Sequence, residues 1–440
     1  MVYVLDINGQ PLMPTKRYGK VRRLLKSHKA IVIHKCPFTI RLQYESTAHT
    51  QPVEVGDDAG SVHNGISAVA VYPSGKEIEV YAAEVLMRTD IVGLLSTRRE
   101  FRRSRRNRTT RYRAPRFNNR VRSKNKGWLA PSVENKILTH IRELEFVCSV
   151  LPVTKVTVEV ASFDLQKLKA DMEGLNHPQG EEYQQGEQLG FWNAREYVLF
   201  RDSHICQCCK GKSKDKILNV HHIESRKTGG DAPNNLITLC ETCHKGYHAG
   251  TVRLPDKIKR GASFKDAAFM GIMRWAFYNR IKENLMAKGI EVRMTYGYLT
   301  KNVRIQHSLE KSHTVDARVI SGHPDAIPAE EWFFKKKVRC HNRQIHKATI
   351  GKGGYRKHNQ APYMVYNYRL YDKVKYSGEE GFIFGRRRDG RFAIRTLGGV
   401  AINEQISYKK LKLIDVRRYV ITERRTPLLI GASPDVPAAI

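Results

Sequence analysis

The sequence has little acidic charge and no long apolar run. It contains 43 Asp and Glu residues against 77 Lys and Arg, which gives a net charge of +34. An ordinary metabolic enzyme needs no such excess, which is typical of proteins that bind a polyanion, and nucleic acid is the first candidate. No run reaches the ~18 apolar residues of a membrane-spanning helix, and the N-terminal residues do not form a secretory signal. We therefore expect an intracellular protein without a membrane partner.

Cysteine is also scarce, and its distribution does not fit a disulfide framework. Four of the eight cysteines form two Cys-x-x-Cys pairs, and the others are scattered, which favours a reducing compartment. Four thiolates complete the tetrahedral coordination of zinc and leave no position for a substrate, so we expect a structural Zn²⁺ site. Its ligands would be Cys206, Cys209, Cys240 and Cys243. Cys208, inside the first pair, is expected to be spare.

Polar residues suited to hydrolysis lie between and after these cysteines. The segment 217–223 (ILNVHHI) predicts a short strand ending in a pair of histidines, a polar loop follows, and a short helix carries two more histidines. The order of these features resembles the ββα-metal unit of HNH endonucleases. The alternative is a structural zinc ribbon whose histidines are incidental.

The HNH resemblance implies a role for each polar residue. His222 matches the general base that takes a proton from water, while His221 and a helical histidine match the ligands of one Mg²⁺ ion, and Asn235 belongs to the site. His244 and His248 share a helix face, so either is open as the second ligand, and His248 is favoured. HNH sequences usually have Asp where His221 stands, and histidine is a softer ligand than Mg²⁺ prefers.

A second set of residues resembles a RuvC-type nuclease site, which has the RNase H fold. The pattern Gly56-x-Asp58-x-Gly60 follows a predicted buried strand and resembles the first catalytic segment of that family; the alternative is an ordinary hairpin. The family usually has an aliphatic residue where Asp57 stands. Asp57 therefore either shifts its neighbours or adds a carboxylate near the site.

Further carboxylates lie far along the chain. Glu159 interrupts an apolar strand. An unpaired carboxylate in a buried strand is costly unless a metal compensates its charge. The alternative is an edge strand on which Glu159 faces water. His313 and Asp316 are three residues apart on one predicted helix face. Asp58, Glu159 and Asp316 would hold two Mg²⁺ ions about 3.5–4 Å apart, and His313 would activate water or assist the cation.

The segment 98–126 carries fourteen basic residues and one acidic residue. Such runs are usually solvated, but aromatic residues interleave this one and it lies between folded segments. We predict a helix to about Tyr112, with Pro115 ending it, that grips a nucleic-acid backbone. The candidate RNA-binding residues are Arg98, Arg99, Arg102, Arg103, Arg105, Arg106 and Arg108.

The order of these parts resembles the IscB family, the transposon-encoded RNA-guided nucleases related to the large CRISPR single-effector nucleases. The PLMP signature at Pro11–Pro14, the arginine-rich segment after the first RuvC segment and an HNH unit between the second and third carry the resemblance. It implies an RNA-guided DNA endonuclease whose HNH site cuts the guide-paired strand and whose RuvC site cuts the displaced strand. The implied partners are an omega-type guide RNA and a double-stranded DNA target, bound by a monomer in a prokaryotic cytoplasm.

The expected fold is therefore a multidomain α/β protein. It has a split RuvC (RNase H-like) domain, an inserted zinc-stapled HNH ββα-metal unit, an arginine-rich bridge helix and a small C-terminal β-barrel that interacts with the target-adjacent motif. The predicted divisions are a PLMP module 1–50, RuvC segment I 51–90, bridge helix 91–126, RuvC segment II 127–175, HNH unit with linkers 176–263, RuvC segment III 264–330, barrel 331–425 and tail 426–440.

Two other functions remain open from the sequence. Asp57 and His221 depart from the family patterns, so the chain is alternatively a catalytically impaired RNA- and DNA-binding protein of a transposon. A guide-independent, structure-specific nuclease is the third hypothesis, and it would carry no RNA.

Overall fold

The computed structural model describes residues 1–106, 129–160, 194–224, 233–255, 265–339, 352–353, 355 and 362–426. Arg108 and the remainder of the predicted arginine-rich segment lie outside the described residues. So do most of the linkers predicted around the HNH unit and almost all of the predicted tail.

The elements follow one another along the chain. The first are β1 (Val2–Leu5), β2 (Pro11–Thr15), α1 (Tyr18–Lys26), β3 (Ala30–Lys35), β4 (Phe38–Leu42), β5 (Val53–Asp58), β6 (His63–Val71), β7 (Glu77–Leu86), α2 (Ile91–Arg106), α3 (Pro131–Val150) and β8 (Val153–Glu159). Next come α4 (Ala194–Arg201), β9 (Leu218–His222), β10 (Leu236–Cys240), α5 (Glu241–His248), α6 (Lys265–Met286), β11 (Glu291–Thr295), α7 (Gly297–Gln306) and α8 (His313–Ser321). The last are β12 (Trp332–Lys337), β13 (Lys373–Tyr376), β14 (Glu379–Arg386), β15 (Arg391–Arg395), β16 (Ala401–Ser407), β17 (Lys412–Asp415) and β18 (Val420–Arg425).

The N-terminal module is a four-stranded sheet of order β2-β1-β4-β3 with α1 packed on it. Val21 of α1 lies against Val2 and Ile40 of the sheet. Pro11 and Pro14 fall in β2, an edge strand, where proline removes no ladder hydrogen bond that the sheet needs.

A seven-stranded sheet of order β11-β8-β5-β6-β7-β12-β18 forms the centre of the protein. β5, β6 and β7 are an antiparallel meander, while β8 runs parallel to β5 and β11 runs parallel to β8. Val55 and Val156 of this sheet share a hydrophobic core with Leu144 of α3 and Phe277 of α6. Because alternate residues of a strand face opposite sides of the sheet, the side chains next to Val55 lie on the face opposite this core.

α8 packs on that other face, and two glycines allow it to come close. A Cβ at Gly56 would lie 1.9 Å from the Ala317 carbonyl oxygen, and one at Gly65 would lie 1.9 Å from that of His313. Real Cβ atoms do not approach a carbonyl oxygen so closely. The two glycines therefore fix how near the first turns of α8 lie to the ends of β5 and β6.

The Gly65→Ala substitution is expected to destabilise the protein by about 1–3 kcal/mol, because the added methyl group must push α8 away from the sheet. The Gly19→Ala substitution is the matched control, since a Cβ there has open space within 4 Å. Thermal unfolding of both variants tests this, and a Gly65→Ala variant as stable as the control contradicts the packing.

The C-terminal residues 331–425, predicted as one unit, are divided between two sheets. β12 pairs parallel with β7, and β18 pairs with β12, so both join the central sheet. The alternating lysines of β12 point into the protein, where Lys335 Nζ lies 2.6 Å from a carboxylate oxygen of Glu143. Sequence reasoning did not foresee this arrangement, because the compensating carboxylate lies nearly two hundred residues away.

The remaining strands form a five-stranded antiparallel sheet of order β16-β15-β14-β13-β17. Its core contains Val374, Ile383 and Phe392. Strands β16 and β17 are the two edge strands of this sheet. The prediction for this region was a small β-barrel. Among the described residues, no helix combines the length and apolar character needed to cross a membrane.

Candidate functional site

The four paired cysteines lie together, as predicted. The ligand atoms of Cys206, Cys209, Cys240 and Cys243 are all within 4.8 Å of one another, so this cluster could hold zinc. Cys240 ends β10 and caps α5, where its Sγ accepts a hydrogen bond from the Cys243 backbone at 3.4 Å. Cys208 lies outside the cluster, and its thiol donates to the Arg253 carbonyl oxygen at 3.5 Å.

A cluster of three histidines lies between β9 and α5. His221, His244 and His248 place one ligand atom each within 4.8 Å of the others. The His221 ring centroid is 5.0 Å from that of His244 and 5.1 Å from that of His248. Both of the helical histidines that the sequence left as alternatives therefore lie at the cluster.

The electrostatics of the cluster suit metal ligation. Burial, followed by the neighbouring histidines His244 and His248, lowers the pKa of His221 to about 4, so its imidazole is neutral near pH 7. Within the described structure the buried His221 Nε2 makes no hydrogen bond. A neutral imidazole with an unpartnered nitrogen, lying beside two more imidazoles, is a ready ligand for a divalent cation.

His222 and Asn235 lie beside this cluster. His222 is the last residue of β9, is partly exposed and pairs with Leu236 of β10. The Asn235 side chain accepts a hydrogen bond from the Glu224 backbone N–H at 2.8 Å and donates to the Glu224 carbonyl at 3.3 Å. These bonds hold the chain where it leaves β9, directly after the two histidines.

A separate group of polar residues lies at one edge of the central sheet. Asp58 and Glu159 are the last residues of the adjacent parallel strands β5 and β8, and both are buried. Because β8 lies between β5 and β11, Glu159 is not on an edge strand. Arg274 donates to Glu159 Oε1 at 3.0 Å and to the Ala59 carbonyl at 2.8 Å.

α8 brings the other predicted residues to this edge. His313 Nδ1 lies 2.8 Å from Asp58 Oδ2, and this hydrogen bond raises the pKa of His313 although burial opposes it. Arg304 Nε lies 3.1 Å from Asp316 Oδ1. Burial raises the pKa of Asp316, and the negative charge of Asp58 adds to the shift.

The carboxylates are thus close enough to repel one another. Burial raises the pKa of Glu159, Arg274 opposes the shift, and the charges of Asp58 and Asp316 add to it. Among the described residues, however, these three carboxylates are not a group whose ligand atoms all lie within 4.8 Å of one another. Arginine contacts balance part of their charge in this arrangement.

Asp57 faces away from these carboxylates, because it precedes Asp58 on β5. It is fully buried, and neither of its side-chain oxygens meets hydrogen-bond geometry within the described structure. Burial raises its pKa well above the usual range, although the Asn64 amide lies close enough to oppose the shift. The folded protein therefore favours the protonated acid, and Asp57 adds no anionic ligand to the site.

The Asp57→Asn substitution is expected to stabilise the protein increasingly as pH rises above about 4, the ordinary pKa of aspartate. A group with a raised folded-state pKa contributes stability below its unfolded pKa and loses it as pH rises toward the folded value. Asparagine cannot ionise, so the variant gains up to about 1.4 kcal/mol per pH unit over the parent. Denaturant unfolding between pH 4 and 8 measures this, and parallel pH profiles contradict it.

Four residues at or near this edge were not found from the sequence. Arg274 lies in a helix noted only for its apolar face, and Arg304 lies in α7, which carries no recognisable motif. His63 and Glu84 lie on β6 and β7, where Nδ1 of the first is 2.6 Å from Oε1 of the second. The pattern of alternating residues in these strands is the one signal that could have placed them on a shared face.

The predicted arginine-rich helix is present as α2. Arg99 and Arg103 are exposed, Arg98 and Arg102 are partly buried, and the helix continues through Arg106. An exposed basic helix of this kind can contact phosphates along its length.

Two family models match separate parts of the chain. Residues 206–250, which contain the cysteine and histidine clusters, match the family described as HNH endonuclease. This segment is an HNH endonuclease domain. The domain contains the cysteines and histidines that the sequence predicted as metal ligands. Residues 2–186 match the family described as RRXRR protein, and the two matches together are consistent with an IscB-like RNA-guided nuclease.

Solved structures provide a distant likeness. A crystal structure of Streptococcus thermophilus Cas9 in complex with AGGA PAM is 13% identical, with a TM-score of 0.24 over 52% of this chain and 31% of that one. Another, with AGAA PAM, is 12% identical, with a TM-score of 0.24 over 58% and 32%. The chain thus spans about a third of the length of these Cas9 chains. No curated protein matches it.

Proposed function

We propose that the protein is an RNA-guided DNA endonuclease with two cleavage sites. The HNH site cuts the strand that pairs with the guide, and a RuvC-type site at the edge of the central sheet cuts the displaced strand. The HNH match, which coincides with a cluster of three histidines beside His222, is the observation that carries the proposal. The separate group of carboxylates at the edge of the central sheet supports a second site, so that each DNA strand has its own.

At the HNH site, His222 takes a proton from the attacking water. A divalent cation held by His221, His244 and His248 would stabilise the negative charge of the leaving oxygen. Asn235 holds the backbone after β9 through Glu224, and so keeps His221 and His222 in position. Asn235 is thus a positioning residue.

The donor set of the HNH site bears on which cation it takes. The sequence led us to expect Mg²⁺, which prefers oxygen ligands. Three imidazoles instead suit a borderline transition-metal ion such as Zn²⁺, Co²⁺ or Ni²⁺. We therefore assign Mg²⁺ to the carboxylate site and a transition metal to the histidine site.

At the RuvC-type site, Asp58, Glu159 and Asp316 would hold two Mg²⁺ ions, which stabilise the attacking and leaving oxygens. The strand order β7-β6-β5-β8-β11, with an antiparallel meander followed by parallel strands, supports an RNase H-like core. His313 hydrogen-bonds to Asp58 and is positioned to accept a proton from water. Arg274 and Arg304 neutralise Glu159 and Asp316 when no cation does so.

Guide RNA is the partner that separates this proposal from a guide-independent nuclease. We expect the purified protein to carry one discrete RNA species, revealed by phenol extraction and sequencing. A protein that cuts DNA but carries no RNA would be a structure-specific nuclease instead.

Replacing both Arg99 and Arg103 with alanine is expected to weaken RNA binding and reduce its dependence on salt. Each lost phosphate contact makes the slope of log affinity against log salt shallower by about 0.7–0.9. Replacing Lys282, exposed on α6, and Lys288, exposed in the turn after it, removes the same charge from another surface and is the matched control. Filter binding across a salt series measures both slopes. Equal slopes for the two variants would show that α2 faces solvent and does not contact the RNA.

A further inference from the structure

A row of side chains crosses the central sheet beside the carboxylate site. In the strand register Asp58 of β5 pairs with Gly65 of β6, and Gly65 pairs with Glu84 of β7. These three positions lie side by side on the sheet face that carries α8. His63 is two residues before Gly65 on the same face of β6, and is therefore a diagonal neighbour of Glu84.

The missing side chain at Gly65 lets His313 enter this row. A Cβ at Gly65 would lie 1.9 Å from the His313 carbonyl oxygen, so the first residue of α8 lies directly over it. The His313 ring stacks on the His63 ring with centroids 5.1 Å apart and planes 3° apart. His313 thus lies between Asp58 on one side and the His63–Glu84 pair on the other.

His63, Glu84 and His313 each place a ligand atom within 4.8 Å of the other two, and all three are partly exposed. Metal bonds of about 2.1 Å need ligand atoms about 3–4 Å apart, so small side-chain rotations would close the set. Two imidazoles and one carboxylate are a donor set that suits Zn²⁺ better than Mg²⁺. We propose that these three residues form a binding site for a divalent transition-metal ion such as Zn²⁺.

The charge of Glu84 favours this assignment. Burial opposes ionisation of Glu84, but the hydrogen bond and charge of His63, followed by the charge of His313, lower its pKa. The group therefore provides an anionic oxygen to two imidazoles. Solvent reaches all three side chains, so an ion can enter without unfolding the sheet.

The new site shares a residue with the carboxylate site. His313 uses Nδ1 to contact Asp58 Oδ2, which leaves Nε2 as its free ligand atom. Binding a cation at His63 and Glu84 would draw His313 toward β7 and block its use as a proton acceptor. The site is therefore inhibitory for cleavage of the displaced strand; this consequence, unlike metal binding itself, rests on the proposed function.

Metal binding is tested first, on the full chain with its structural zinc bound and excess Mg²⁺ present. Zn²⁺ is titrated in competition with a chromophoric chelator. The His63→Ala and Glu84→Gln variants are each expected to bind one Zn²⁺ fewer than the parent. The control His49→Ala, which removes an exposed histidine elsewhere, is expected to keep the parental stoichiometry. If Glu84→Gln, which keeps the side-chain shape, binds as many Zn²⁺ ions as the parent, the site does not exist.

Strand-specific cleavage is tested second. With Mg²⁺ and guide RNA present, Zn²⁺ is expected to slow displaced-strand cleavage by the parent by about 10²-fold or more, the contribution of a proton acceptor. Each variant is compared with its own rate in Mg²⁺ alone, and both are expected to resist Zn²⁺. Equal inhibition of parent and variants overturns the coupling. Absence of any cleavage in Mg²⁺ would instead count against the proposed function and leave the stoichiometry as the deciding result.

Discussion

The His222→Ala variant is expected to nick its target and leave the guide-paired strand uncut. Alanine removes the group that takes a proton from the attacking water, which should cost about 10²–10⁴-fold in the rate of that strand. The substitution leaves the three-histidine cluster and the four-cysteine cluster in place. Cleavage of the displaced strand should therefore continue at the parental rate.

The Asp58→Ala variant is expected to give the opposite nick. It removes a proposed Mg²⁺ ligand and the hydrogen-bond partner of His313. The rate of displaced-strand cleavage should therefore fall by at least the factor expected for the guide-paired strand in His222→Ala. The double variant should bind DNA without cutting it. His49→Ala provides the control for replacing a histidine on the surface.

Strand-specific end labelling of a linear target duplex, with guide RNA, Mg²⁺ and a transition-metal ion supplied, distinguishes the outcomes. Double-strand breaks by Asp58→Ala would show that the acidic edge is not a cleavage site. Nicking by the unmutated protein would show that one site is disabled, and the strand left intact would identify which.

Loss of the structural zinc is the second change that is expected to have a large effect. The core of the HNH domain is small, containing Ile223, Ile237 and Leu239 with three of the paired cysteines. Zinc binding contributes about 10–16 kcal/mol in comparably small zinc units, far more than so small a core can replace. The Cys206→Ser, Cys240→Ser double variant should therefore lose its zinc and unfold residues 201–248.

The central sheet should remain folded in that variant, because its core is separate from that of the HNH domain. Zinc analysis together with hydrogen exchange measures both parts. The Cys208→Ser variant is a close control, since Cys208 lies between two ligands but outside the cluster. Unchanged zinc content in the double variant, or equal loss in the control, contradicts the assignment.

Sequence spacing predicted the parts of the protein whose chemistry is local. Two Cys-x-x-Cys pairs and a histidine pair specify their arrangement over about fifty residues, and the structure brings these groups together. The i, i+3 spacing of His313 and Asp316 also placed both on the first turn of one helix. In each case neighbouring side chains are fixed by one turn, one strand or one helix.

The features that sequence reasoning missed depend on pairing between distant segments. Glu84 and His313 are more than two hundred residues apart and meet because Gly65 lies between them in the strand register. The face of the sheet on which Asp57 lies is set by how β5 pairs with its neighbours, and the composition of β5 does not reveal it. Likewise, the buried Lys335 of β12 is compensated by Glu143 of α3, which lies far from it in the sequence.

The most direct test of RNA guidance uses the RNA that copurifies with the protein. Its variable segment is sequenced, and a matching DNA segment is placed in a plasmid library with randomised flanking sequence. Cleavage is expected only of plasmids that carry the match, with one flanking motif enriched among them. Equal cleavage of plasmids with matching and scrambled segments would contradict RNA guidance.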